Sequence, residues 1–172
     1  MLKLLKKALQ VGEATVKYPF KPLEVAPSFR GKPVYDFSQC IACGACATAC
    51  PSNAITMEHD FKRGIVSWNI NYGRCIFCGR CDEVCPTGAI ALSEEFELAA
   101  SRKEDLYCRA EIQLCKCSSC GKHFAPYREL EYVLANLEQV GLTDHDKEKW
   151  KQLVNVCPEC RRRQVAAPWV HN

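Results

Sequence analysis

Eight of the fourteen cysteines in this 172-residue chain fall into two short runs. The first reads Cys40-Ile-Ala-Cys43-Gly-Ala-Cys46-Ala-Thr-Ala-Cys50-Pro51. The second reads Cys75-Ile-Phe-Cys78-Gly-Arg-Cys81-Asp-Glu-Val-Cys85-Pro86. Both are C-x2-C-x2-C-x3-C-P, a spacing at which thiolates hold 4Fe-4S clusters. Three thiolates within seven residues occupy three corners of an iron–sulfur cube, and the fourth must come from elsewhere. In this pattern the last cysteine of each run serves the other cluster. The expected ligand sets are Cys40, Cys43, Cys46 with Cys85, and Cys75, Cys78, Cys81 with Cys50. With every iron held by protein, no open coordination site is left for a substrate. The chemistry expected is electron transfer.

A second metal pattern lies downstream. Cys117-Ser-Ser-Cys120 and Cys157-Pro-Glu-Cys160 are two C-x2-C knuckles separated by 36 residues, the arrangement of a tetrahedral four-thiolate site. Such a site belongs to zinc ribbons and rubredoxin-like modules. Zinc is the default for a closed structural site, and a single iron is its rival because Gly121 follows the first knuckle. Arg161 follows the second, where rubredoxin would have glycine. Cys115 is an alternative to Cys117 with the poorer C-x4-C spacing, and Cys108, with no partner at metal spacing, is expected to be a free thiol. His59, alone in a polar turn, is expected to be solvated, as is the charge run Arg161–Arg163. Trp68 is expected in the core and not as an electron relay.

The elements that position these ligands follow from the spacing of the other residues. Residues 40–55 and 75–90 are an internal repeat, identical at nine of sixteen positions. Gly44 and Gly79 let the backbone wrap close to a cluster with positive φ. Pro51 and Pro86 end the short turn that carries the last cysteine. Ile41, Ile55, Ile76 and Ile90 supply little apolar cover, so metal–thiolate bonds must hold this part of the fold. Residues 54–58 and 65–70 read as strands around a turn at 59–64. Ser101-Arg-Lys-Glu104 is a capping box and predicts a helix to about Ala110 within a helical segment 93–111. Inside the C-terminal insert, helices are expected at about 127–139, with Leu130, Val133, Leu134, Leu137 and Val140 on one face, and from an N-cap at Thr143, carrying Trp150, Leu153 and Val154.

At the N-terminus, residues 1–13 form an amphipathic helix with Leu2, Leu4, Leu5, Ala8, Leu9 and Val11 on one half and Lys3, Lys6 and Lys7 on the other. A helix this short needs a partner for its apolar face: a membrane surface, a larger subunit, or its own domain. Residues 14–38, with Pro19, Pro22, Pro27 and Pro33, read as an extended strap along a partner subunit, anchored by Tyr18, Phe20, Phe29, Tyr35 and Phe37. The fold class is α+β: a bacterial-type two-cluster ferredoxin domain at 39–92 preceded by helix and strap (1–38), then a helical connector (93–114) and a four-cysteine metal module (115–172).

Composition narrows the function further. Cysteines in metal spacing, with no cleavable signal expected ahead of them, point to a reducing compartment and not to disulfides. No apolar run approaches the 18 or so residues of a membrane span. The net charge of +3 is too mild to argue for nucleic acid. No dinucleotide, P-loop or hydrolytic-triad motif stands out, so no catalytic residue is assigned.

Thr15-Val-Lys-Tyr18-Pro19, Phe29-Arg30-Gly31-Lys32-Pro33 and the two runs together resemble the 23-kDa iron–sulfur subunit of respiratory complex I. A narrower likeness is to the iron–sulfur subunits of formate hydrogenlyase (hydrogenase-3/hydrogenase-4). It extends through Asn71–Pro86, Phe96-Glu-Leu-Ala99, Leu114-Cys-Lys-Cys117, Phe124-Ala-Pro126 and Cys157-Pro-Glu-Cys160. The resemblance implies a peripheral subunit on the cytoplasmic side of the inner membrane. It would carry electrons from the ferredoxin-like subunit of a formate dehydrogenase to the small and large subunits of a membrane-bound NiFe hydrogenase, beside membrane-arm subunits. The alternatives are the equivalent subunit of a complex I-like quinone oxidoreductase, and a free-standing ferredoxin with a zinc interaction module.

Overall fold

A computed structural model describes residues 2–13, 15–21, 23–140 and 144–166. The chain opens with α1 (Leu2–Val11), whose residues are all exposed. It stops at Gly12, which takes φ +64° while its N–H closes on the Ala8 carbonyl at 3.1 Å. The strap then reaches β1 (Pro33–Tyr35). The first cysteine run carries α2 (Ala45–Ala49) and leads into the hairpin β2 (Ile55–Asp60) and β3 (Ile65–Asn71). The second run carries α3 (Arg80–Glu83) and ends in β4 (Ile90–Leu92). Beyond it lie β5 (Tyr107–Lys116), β6 (His123–Pro126), α4 (Tyr127–Gln139), α5 (Asp144–Val154) and α6 (Pro158–Ala166).

Two antiparallel sheets organise these pieces. β1 pairs with β4, with Val34 opposite Ala91. The larger sheet has the order β2-β3-β5-β6, so strands from the cysteine repeat and from the C-terminal third share one sheet. Its centre is β3, with Val66, Trp68 and Ile70 all but inaccessible to solvent. Trp68 lies opposite Met57 on one side and Ala110 on the other. Trp68 is a core residue, as its sequence position suggests.

The segment after the second run departs from expectation. Residues 93–111 were expected to be helical, but the capping box yields only a single 3-10 turn at Lys103–Leu106. From Tyr107 the chain is a ten-residue strand paired with β3 from Asn71↔Tyr107 to Ile65↔Gln113. Ala110, Ile112 and Leu114 are buried and alternate with exposed Arg109, Glu111 and Gln113. This is the two-residue period of a strand. A helix would have scattered those three residues around its circumference and left the far edge of β3 unpaired.

The strap also differs in its second half. Residues 30–38 do not run free for a partner but close on their own domain. The Gly31 N–H donates to the Ser93 carbonyl at 2.9 Å, the Lys32 N–H to Glu95 at 2.7 Å, and Lys32 pairs with the Glu95 carboxylate. Tyr35 stacks on Trp68, ring centroids 3.9 Å apart and 10° from parallel. Val16, Tyr18, Phe20 and Leu23, nearer the N-terminus, stay exposed.

In the C-terminal insert, α4 has the expected bounds, but its apolar face covers little. Leu130, Leu134 and Leu137 are half-buried, while Val133 and Val140 are exposed. The expected N-cap Thr143 lies outside the described residues.

Candidate metal centres

Two hollows flank the β1–β4 pair. One is walled by Cys40, Cys43, Cys46 and Cys85, the other by Cys50, Cys75, Cys78 and Cys81. They are nearly equal in size, with about 350 and 340 Å³ of space among their lining atoms, part of it open to solvent, as befits two copies of one repeat. Gly44 (φ 79°) and Gly79 (φ 80°) start α2 and α3 in the left-handed region, which turns the third cysteine of each run inward. Ala42 (φ 58°) and Phe77 (φ 54°) take the same region without being glycine, at a cost of about 1–2 kcal/mol each. Their N–H groups are thereby aimed at sulfur: Ala42 donates to Cys40 Sγ at 3.3 Å and Phe77 to Cys75 Sγ at 3.4 Å. Nothing in the residue types at 42 and 77 marks them for this task.

The last cysteine of each run is prepared in a different way. Burial works against the Cys50 thiolate, yet the N–H groups of Ile55 and Ala54 and the Ser52 hydroxyl outweigh it and hold the thiol below its ordinary value. Cys85 is held low in the same manner, against burial, by Thr87, Ile90 and Ala89. Ala54 N donates to Cys50 Sγ and Ala89 N to Cys85 Sγ, both at 3.2 Å. Burial pushes Cys46 and Cys75 up, and Cys81 up to about 11. A bare thiolate is disfavoured at those positions, and the positive charge of bound iron removes the penalty. The donor set therefore fits iron–sulfur clusters.

The C-terminal knuckles converge on a point. The sulfurs of Cys117, Cys120, Cys157 and Cys160 all lie within 4.8 Å of one another, with Cys120 and Cys157 at 3.8 Å. Four thiolates around one ion at about 2.3 Å stand roughly 3.8 Å apart, so the group fits a single tetrahedral metal. Among the described residues it is the one cluster gathered tightly enough for a lone ion, and Cys115 is not part of it. The Cys157 N–H donates to Cys117 Sγ at 3.2 Å and is the main reason that thiol is lowered to about 6. Val156 and Phe124 seal the group on the apolar side.

Of the other residues singled out in the sequence, His59 lies on β2 at the surface, its ring 5.7 Å from that of Phe61, and Cys108 is a half-buried thiol on β5 packed beside Ile70. Sequence reasoning missed two arginines and a donor. Arg30 Nη1 donates to the Cys78 carbonyl at 2.9 Å, and Arg128 donates to the carbonyls of Phe37 and Cys40, 91 and 88 residues earlier in the chain. The Trp68 indole N–H donates to Cys46 Sγ at 3.4 Å.

The family described as a 4Fe-4S dicluster domain matches residues 39–89. Over 168 residues the chain is 45% identical to formate hydrogenlyase subunit 6 of Escherichia coli, a match that covers 98% of this chain and 92% of that one. The chain belongs to the formate hydrogenlyase subunit 6 family. A shorter likeness joins it to NAD(P)H-quinone oxidoreductase subunit I of Nostoc sp., 39% identical over 58 residues, 34% of this chain and 30% of the relative. Among solved structures, the membrane-bound sulfane sulfur reductase, an archaeal respiratory membrane complex, contains a chain 34% identical with a TM-score of 0.45, covering 60% of this chain and 56% of that one. With its dicluster domain and its subunit 6 and subunit I relatives, this family member is an iron–sulfur electron-transfer subunit of an oxidoreductase complex. Among the described residues no helix is long and apolar enough to cross a membrane.

Proposed function

We propose that the chain relays electrons between a formate dehydrogenase partner and a membrane-bound NiFe hydrogenase, through clusters held by Cys40, Cys43, Cys46, Cys85 and by Cys75, Cys78, Cys81, Cys50. One observation carries the ligand sets: each hollow is walled by three cysteines of one run and the last of the other. A bound 4Fe-4S cluster supplies reversible one-electron chemistry. The chain's own residues fix its place, with the N–H groups of residues 42, 54, 77 and 89 donating to ligand sulfurs and one buried cluster supplying Trp68 and Ile90 to the first hollow and Ile55 and Ile70 to the second. Cys117, Cys120, Cys157 and Cys160 hold a zinc ion that ties the turn between β5 and β6 to the start of α6.

The hydrogenase reading is favoured over a quinone oxidoreductase because the likeness to formate hydrogenlyase subunit 6 runs through the four-cysteine module, whereas the likeness to subunit I spans only 58 residues. In this reading α1 and the free half of the strap dock on membrane-proximal subunits at the cytoplasmic face. Deleting the chain abolishes formate-dependent H2 evolution while formate oxidation with an artificial dye survives. Persistence of formate-dependent H2 evolution, or co-purification with a quinone-site subunit in place of a nickel subunit, overturns the assignment. For the ligand sets, Cys50→Ser damages the cluster held by Cys75, Cys78 and Cys81. Loss of the Cys40/Cys43/Cys46 cluster instead refutes the crossed pairing.

A further inference from the structure

Most of what surrounds the two hollows is matched pair by pair. Each has two main-chain donors to sulfur, Ala42 and Ala89 in the first, Phe77 and Ala54 in the second. Each has one hydroxyl beside its fourth cysteine, Thr87 on Cys85 and Ser52 on Cys50, both at 3.7 Å. Each has one arginine on a cysteine carbonyl, Arg128 on Cys40 and Arg30 on Cys78. These contributions are alike in kind at the two sites, although Arg30 lies nearer its carbonyl (2.9 Å) than Arg128 does (3.4 Å).

Arg80, in the wall of the second hollow where the first has Ala45, is exposed and spends its charge on Glu83 of the same helix at 2.7 Å. Two side chains of the first hollow have no counterpart in the second. The Trp68 indole N–H donates to Cys46 Sγ, while among the described residues no side chain donates to the sulfur of Cys81, the equivalent position, or to Cys75 or Cys78. The Tyr35 hydroxyl is buried without a well-aligned partner, in the wall of the first hollow, and its ring is stacked on Trp68. Exposure differs in the same sense: Cys43 is exposed, whereas none of the four cysteines of the second hollow is. Adding an electron to a cluster increases the negative charge shared by its sulfurs. A donor aimed at sulfur, and access to water, both favour the reduced state.

We propose that Trp68, with Tyr35 behind it, holds the cluster on Cys40, Cys43, Cys46 and Cys85 at a higher reduction potential than the cluster on Cys50, Cys75, Cys78 and Cys81. The proposal rests on the two-cluster reading and its ligand sets, and adds an order to them. A single electron entering the subunit settles at the site beneath Trp68 and leaves the other cluster oxidised. Trp68 is a positioning and tuning residue; it transfers nothing itself.

The test is a redox titration of the purified complex followed by electron paramagnetic resonance. Cys43→Ser and Cys78→Ser assign the two signals, because those cysteines belong to different sites under either pairing. In the unmodified complex the Cys43-dependent signal develops at the higher potential. Trp68→Phe removes the N–H and keeps an aromatic ring. At the original midpoint it lowers the reduced-to-oxidised ratio of that signal several-fold, where tenfold corresponds to about 59 mV for one electron. Tyr35→Phe shifts it the same way by less, and decides the matter if Trp68→Phe does not assemble. The Cys78-dependent signal stays in place in both. Equal or inverted midpoints in the unmodified complex, or a shift of both signals or neither, overturn the proposal while leaving two clusters in place. If Cys43→Ser and Cys78→Ser do not affect different signals, the two-cluster reading itself has failed, and the proposal with it.

Discussion

Gly31 is the residue at which a single methyl group should do the most damage. Its φ lies outside the left-handed region, so backbone strain is not the reason; space is. A Cβ there would overlap the Glu95 carbonyl oxygen and stand 2.6 Å from the Ser93 carbonyl oxygen and 2.8 Å from the Glu95 carbonyl carbon. Those atoms are backbone and cannot swing away. Restoring ordinary contact means parting the strap from residues 93–95, which breaks Gly31 N–H to Ser93 O, Lys32 N–H to Glu95 O and Ser93 N–H to Lys32 O together. At a net 0.5–1.5 kcal/mol for each bond, Gly31→Ala destabilises this junction by about 2–4 kcal/mol. Every 1.4 kcal/mol is tenfold in an equilibrium, so the amides of Lys32 and Ser93 should exchange with deuterium roughly 30- to 700-fold faster. Val66 and Trp68, paired within the central sheet, should keep their protection, because the strap can open without the sheet opening. The assay is native-state hydrogen exchange on the cluster-loaded complex. Protection at Lys32 and Ser93 unchanged within about threefold would refute the packing argument. Release of Arg30 from the Cys78 carbonyl is expected to accompany the loss of protection.

Three further outcomes follow from the same structure. Gly64 has φ +72°, and a Cβ there would lie 2.5 Å from His123 Nε2, whose ring holds the Phe61 carbonyl through Nδ1 at 3.0 Å. Gly64→Ala should cost about 2–3 kcal/mol, combining left-handed strain with the lost hydrogen bond, and adding His123→Ala should recover the clash but not the strain. A double-mutant cycle in denaturant that shows no coupling would count against the contact. At the four-cysteine site the Cys117 thiol is lowered to about 6, so its folded pKa lies below the unfolded one. The thiolate's contribution is fully present above about pH 9 and is lost as pH falls through about 6. In the metal-stripped protein a thiolate absorbance that depends on Cys117 should therefore persist down to about pH 6; the absence of any Cys117-dependent thiolate signal between about pH 6 and 8 would contradict the assignment. Chelating that metal should also loosen Arg128 from the carbonyls of Phe37 and Cys40, because α4 follows β6, whose Phe124 packs against Cys157. Faster exchange at the Arg128 end of α4 without loss of the 4Fe-4S clusters is the result to look for, and unchanged exchange there would separate the two halves.

Much of the chemistry was legible in the residues themselves. Ligand spacing is a local property: C-x2-C-x2-C puts three sulfurs on one tight loop whatever surrounds it, and two C-x2-C knuckles need only be brought together. The bounds of α4 were likewise local, set by helix formers that follow Pro126. Residues 93–111 show the opposite case. A capping box at Ser101–Glu104 competes with the alternation of Ala110, Ile112 and Leu114, and nothing nearby says which prevails. The free edge of β3, some 40 residues earlier, decides it, since a buried strand edge must find partners for its N–H and C=O groups. The left-handed Ala42 and Phe77 stayed hidden for a different reason: their N–H groups reach sulfurs only two residues back, through a strained turn that neither residue type signals. Distance in sequence did hide Arg128 on the Cys40 carbonyl. Cysteine spacing alone determined that this chain could hold two clusters and one metal ion. Only the tertiary structure, by stacking Tyr35 on Trp68 and aiming the indole at Cys46, made the two hollows unequal.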